Sequence, residues 1–228
     1  MSLYCPLSIN LSNRDCLVIG GGRVALRKVN FLLGYNGKVT VVSPQLLPEL
    51  KQYQKDEKIT YIADIYRPVY LSDRFLVICA TDDHQVNHTA AQVCNDRGIL
   101  VNTVNEPGNC SFLVPAQLKR GLLSIAVSTG GASPALACRI RNKLKEQFGS
   151  EYKRYTLFLC KIRPLVISRI KDNKQRKTIL EYLADSSFYE IFINMDETEA
   201  MQLIEDFIKG RGAITKRDES GVNKCKRW

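Results

Sequence analysis

The sequence predicts an α/β protein: a doubly wound parallel sheet at the N-terminus, then a hairpin and helix, then a helical C-terminal region. Three observations carry this. Short apolar, β-branched runs alternate with amphipathic stretches over the first hundred residues. Three glycines close the first of those runs, and from Glu151 onward apolar residues recur at helical steps.

The apolar runs are "CLVI" (16–19), "KVTVV" (38–42), "KITYI" (58–62), "RFLVICA" (74–80) and "GILVNTV" (98–104). They lack the polar alternation of a half-exposed sheet, so they read as strands buried on both faces. Between the first two lies "RVALRKVNFLLGYNG", with Val24, Leu26, Val29, Leu32 and Leu33 apolar and two glycines near its end. Between the last two lies "HQVNHTAAQVCNDRG", closed by Gly98. Strand-helix-strand alternation at this spacing builds a parallel sheet.

After Val104 the pattern changes. "CSFLVPAQLKRGLLSIAVS" reads as two strands around "KRG", and in "TGGASPALACRIRNKLKEQF" Ser133 is placed to cap a helix whose first residue is Pro134. Further on, Tyr152, Tyr155, Leu159, Ile162, Val166 and Ile170 step by three and four. Pro164 is expected to kink or split that helix. Asp196 and Glu199 in "DETEAMQLIEDFI" form a capping-box pattern for a last helix. The expected divisions are 1–112, 113–148 and 149–228.

The chain has 228 residues, 45% of them hydrophobic, enough to bury a sizeable core. No apolar stretch approaches the ~20 residues that span a bilayer, and the first residues lack a basic flank with a long apolar run, so a cytoplasmic location and no membrane partner are expected. The eight cysteines form no CxxC pair, which argues against a disulfide framework or zinc knuckle. The net charge is +10, and residues 209–228 hold seven Lys/Arg against two Asp/Glu, half of that excess. The rest is mixed with acids, without a basic stripe interleaved with aromatics, so no nucleic acid partner is expected.

Gly20, Gly22 and Ala25 fit G-x-G-x-x-G/A directly after a strand and before a helix, the Rossmann-type fingerprint. The first glycine permits the turn, the second lets a pyrophosphate reach the backbone, and the small third residue lets helix pack on strand. Gly20, Gly21, Gly22, Arg23 and Val24 are therefore candidate cofactor contacts. The acidic residue that grips the adenosine ribose belongs at the end of the second strand, where this chain has Ser43; these residues leave NAD against NADP open. Ligands bind outside the carboxyl ends of the strands, which adds Thr81 and Asp82 to the cofactor set and places Asn105 and Glu106 on the same edge.

His84 and His88 stand four apart and could share a metal, but two histidines leave a site short of ligands. A solvated helix face is expected, with no metal. "STGGASP" (128–134) is a second glycine-rich turn entering a helix that carries Arg139, Arg141, Lys143 and Lys145. It suits a substrate rich in carboxylates, and equally a tight turn before a solvated basic helix.

Together, "PLSINLSNRDCLVIGGGRVALRKVNFLL", "VTVVSP", "FLVICATDDHQVN" and "VNTVNEPGNCSFLVPAQLKRGLLSIAVSTGGASPALACRIRNKL" resemble, in order and spacing, the precorrin-2 dehydrogenase family, which includes the N-terminal half of siroheme synthase. The resemblance covers about residues 5–148. It implies NAD-dependent oxidation of precorrin-2 to sirohydrochlorin in siroheme biosynthesis, sometimes with ferrous iron insertion. It also implies a homodimer whose central region, here 113–148, is the dimerisation region. The substrate would be a carboxylate-rich tetrapyrrole, with Ser128, Thr129, Gly130, Gly131 and Ser133 as its candidate contacts.

One departure matters. The family's catalytic aspartate, opening a D-x-P element, is replaced here by Asn105, which has no titratable carboxylate. Glu106 could substitute, although on an extended segment its side chain points the other way. The sequence thus supports a dehydrogenase in which iron insertion is doubtful. The alternative is a catalytically weak regulatory protein that binds NAD or a tetrapyrrole. A nucleotide-sensing domain of another kind would keep the acidic residue that Ser43 replaces.

Overall fold

The computed structural model describes residues 4–104 and 106–209. Contacts divide the described residues into two compact units, one within 4–116 and 128–137 and the other within 117–127 and 138–209.

The first unit is a five-stranded parallel sheet of β1 (Asp15–Ile19), β2 (Lys38–Val42), β3 (Ile59–Ile62), β4 (Leu76–Cys79) and β5 (Leu100–Thr103). Its order is β3-β2-β1-β4-β5. The parallel doubly wound sheet read from the sequence is therefore present, with β2 spanning the expected residues. In register, Val18 of β1 lies between Val41 of β2 and Ile78 of β4. All three side chains are fully buried, as continuous apolar runs require.

Helices cover both faces. On one, α1 (Arg23–Leu33) buries Ala25, Val29 and Leu32 against Val18, Val41 and Ile78. On the other, α3 (His84–Asp96) buries Ala90, Ala91 and Cys94 against Leu17, Val77 and Val101. The helix α2 (Pro48–Lys55) joins β2 to β3 and buries only Leu50, so its sequence carries no apolar stripe to announce it.

The hairpin of β6 (Ala116–Arg120) and β7 (Leu123–Val127) is a separate two-stranded sheet. It is followed by α4 (Pro134–Gln147), which starts where expected: the Leu136 N–H donates to Ser133 Oγ at 3.2 Å.

The second unit is closed by α5 (Glu151–Arg169), α6 (Asn173–Tyr182), α7 (Ser186–Ile193) and α8 (Glu197–Ile208). Pro164 does not split α5, contrary to one expectation. Buried Tyr155, Phe158, Ile162 and Val166 lie on both sides of it, so core packing holds both halves despite the lost backbone donor. The core is aromatic, with Phe158 and Phe192 rings 4.8 Å apart. The Asp196–Glu199 capping box opens α8 as read.

Among the described residues, no helix is long and apolar enough to cross a membrane. The expected basic tail from Gly210 onward lies outside the described residues.

Candidate functional site

A cleft of about 670 Å³ opens at the carboxyl ends of β1, β2 and β4. All eight candidate cofactor contacts line it: Gly20, Gly21, Gly22, Arg23, Val24, Ser43, Thr81 and Asp82. The sheet brings them together because strand order reverses beside β1, where the connections to α1 and α3 leave on opposite faces.

The three glycines have different reasons to be there. Gly20 adopts φ +119°, and a Cβ on it would collide with the Ala80 carbonyl at the end of β4. A Cβ on Gly21 would drive into the Gln45 carbonyl, and Gly21 also accepts from the Leu47 N–H at 3.0 Å. Gly22 has open space where a Cβ would be. It precedes the first turn of α1, which no side chain caps, so the leading N–H groups of that helix keep their donors for an anion in the cleft. A dinucleotide's pyrophosphate fits this arrangement: the backbone is bare at Gly22, and the helix dipole favours negative charge. Ala25, fully buried, packs the helix on the sheet as the third position should.

Ser43 is buried and donates its hydroxyl to the Gln45 carbonyl at 2.7 Å, while the Ser43 carbonyl accepts from Tyr61 at 2.9 Å. Its proton and one lone pair, which accepts from the Gln45 N–H at 3.4 Å, shape the loop after β2, leaving one acceptor lone pair for a ribose. On β4's side, the Thr81 turn is held by Asn87, which is buried. Asn87 Nδ2 donates to the Thr81 carbonyl at 2.9 Å, and its Oδ1 lies 2.9 Å from Thr81 Oγ1. Asp83 caps α3, accepting from the Gln85 and Val86 N–H groups at 2.9 and 3.1 Å, and Asp82 stands exposed on the rim.

Sequence reasoning missed the wall formed by Ile65 and Tyr66 after β3. The rule applied to the other strand ends would have found it at this one. Burial raises the Tyr66 phenol to about 12, so it stays protonated. Asn87 was missed as well; its signal is a polar residue on the buried face of a helix.

Asn105 lies outside the described residues. Glu106 turns to α3: its Oε1 accepts from His84 Nδ1 at 3.0 Å and its Oε2 from Asn109 Nδ2 at 2.7 Å. The His84 contact, then the Asn109 contact, hold its carboxyl below the usual carboxylate range. His84 and His88 are therefore not merely a solvated face, and among the described residues no cluster of metal-ligating side chains occurs.

Of the candidate substrate contacts, none lines the cleft. Ser128 Oγ accepts from the Gly130 N–H at 3.2 Å and Thr129 Oγ1 from the Ser133 N–H at 2.9 Å, so both hydroxyls shape their own turn. Gly130 and Gly131 have φ of +62° and +90°.

A family model described as NAD(P)-binding matches residues 7–116, and one described as sirohaem biosynthesis protein central matches residues 120–147. The siroheme synthase of Thioalkalivibrio sulfidiphilus is 35% identical over 96% of this chain and 44% of its own length. That of Nitrosomonas europaea is 36% identical over 89% of this chain and 43% of its own length. The chain thus spans less than half the length of these relatives. A solved structure titled SirC, precorrin-2 dehydrogenase, superposes with a TM-score of 0.75 at 29% identity, covering 89% of this chain and all of that one.

Proposed function

We propose that the chain, as a member of the precorrin-2 dehydrogenase family shared with the N-terminal part of siroheme synthases, oxidises precorrin-2 to sirohydrochlorin with NAD. The observation that carries this is the cleft at Gly20–Gly22, built as a dinucleotide cradle in a chain that superposes on a whole precorrin-2 dehydrogenase. When bound, the nicotinamide supplies the hydride acceptor.

The protein's part is binding and alignment. The N–H groups opening α1 hold the pyrophosphate, and Ser43 offers an acceptor to the ribose. Thr81, fixed by Asn87, shapes the wall at β4. Ser128, Thr129, Gly130, Gly131 and Ser133 are proposed to take substrate carboxylates through the turn entering α4. The full assembly proposed is a cytoplasmic homodimer joined through residues 113–148.

Asn105 supports a dehydrogenase without iron insertion, since an amide neither takes a proton as a general base nor binds iron as an anion. It also favours a second reading, a weakly catalytic protein that binds NAD or a tetrapyrrole. Anaerobic turnover of precorrin-2 with NAD, followed by sirohydrochlorin absorbance, decides between them. Turnover by the native chain is expected. Absence of turnover despite NAD binding identifies the second reading, and restoration by Asn105→Asp then distinguishes a damaged enzyme from a binding protein.

A further inference from the structure

Four polar side chains beside the cleft form one cluster that the reading above leaves without a role. His84 Nδ1 donates to Glu106 Oε1 at 3.0 Å. The Asn109 amide directs its two hydrogens to Glu106 Oε2 at 2.7 Å and His88 Nδ1 at 2.9 Å. A carboxylate only accepts, so the amide must present its NH₂ to Glu106, and that makes His88 Nδ1 an unprotonated acceptor. Each donor therefore meets an acceptor. Asn95 Nδ2 adds a bond to the Asn109 carbonyl at 3.4 Å, and the Tyr4 hydroxyl lies 3.3 Å from the Pro107 and Cys110 carbonyls.

The cluster ties together two pieces with different duties. His84 is the first residue of α3, and its neighbours Asp82, Asp83 and Val86 line the cofactor cleft. Glu106 and Asn109 belong to the segment leaving β5, directly after Asn105 in sequence. That segment is anchored to the sheet at its far end, where the Ser111 N–H donates to the Val101 carbonyl at 2.9 Å.

We infer that His84, His88, Glu106 and Asn109 are positioning residues that lock the 106–110 segment to the helix lining the cofactor cleft, keeping tetrapyrrole and nicotinamide in register. Glu106 is then a structural acceptor and not the base that takes a proton. Two side-chain donors already occupy its carboxylate oxygens, and the same bonds make it a poorer base. The inference rests on the dehydrogenase reading for its catalytic meaning.

The test uses the full chain, four single variants and one double variant, with kcat and KM for precorrin-2 and a separate Kd for NAD. Asn109→Ala and His88→Ala are expected to lower kcat about tenfold through misalignment, with NAD affinity unchanged. His88→Gln should recover most of it, because its amide oxygen can accept from Asn109. Glu106→Gln should fall by a similar factor, and combined with Asn109→Ala should be no worse than the poorer single variant, since both break one network.

Full kcat in Asn109→Ala and His88→Ala, with a loss of about 10²–10⁴ in Glu106→Gln alone, overturns the proposal and makes Glu106 the base. If the native chain binds NAD but does not oxidise precorrin-2, the dehydrogenase reading fails and amide hydrogen exchange over residues 106–112 judges the lock independently. Faster exchange in Asn109→Ala supports it, and unchanged exchange overturns it.

Discussion

Gly21 and Gly22 are adjacent and chemically identical, yet they answer to different requirements, and substitution separates them. At Gly21 a methyl group must displace the Gln45 carbonyl, a backbone atom that cannot swing aside. Gly21→Ala is expected to destabilise the chain by about 1–3 kcal/mol, the range of backbone strain and overpacking, read by urea denaturation followed by circular dichroism. At Gly22 the space is open, and aspartate is a better helix N-cap than glycine. Gly22→Asp should therefore hold or slightly raise stability while weakening NAD at least about tenfold, because a carboxylate faces the pyrophosphate. Unchanged NAD affinity in a folded Gly22→Asp protein, measured by calorimetry, would remove the cradle from the cofactor site.

Elements were legible where local pattern and final environment coincide. The strands β1 and β2 after their exposed first residues, and β4 along its whole length, are buried and mostly apolar because both faces are covered, and Ser133–Pro134 and Asp196–Glu199 mark helix starts by caps that act within three residues. The link from His84 to Glu106 joins residues 22 apart, and that from His88 to Asn109 residues 21 apart, so nothing local announces them. Pro164 misled for the opposite reason: its local effect is real, but the buried row from Tyr155 to Val166 overrides it. The caps also set a pH dependence. Asp185 caps α7, and bonds from the Ser187 hydroxyl and N–H hold its carboxyl below the usual range. A depressed carboxylate contributes stability above its unfolded value and loses it as pH falls through its folded value. Asp185→Ala should cost about 1 kcal/mol at pH 7, with the difference from the native chain shrinking in acid as that carboxyl protonates; a pH-independent difference in denaturation midpoint would contradict this.

At the scale of the whole molecule, the two units have separate cores and the cofactor cleft draws only on the first, so NAD binding and assembly can be perturbed independently. The hairpin β6–β7 is a two-stranded sheet of its own, which is marginal in water without a covering surface. Nearby in sequence, Leu122 is 58% exposed, and Leu136 and Ile140, one turn apart on α4, are 49% and 38% exposed. Exposed apolar side chains within the proposed dimerisation region are what a second copy would cover. The native chain is then expected to sediment at twice its 25.8 kDa. Ile140→Glu should shift it toward the single-chain mass, because a buried unpaired carboxylate opposes association. Its NAD affinity should stay within about twofold, since Ile140 is not among the cleft residues, while precorrin-2 turnover falls if the substrate needs both copies. A native chain that sediments at 25.8 kDa at micromolar concentration would instead leave the hairpin and the exposed face of α4 to another partner, and turnover would then be unaffected by the substitution.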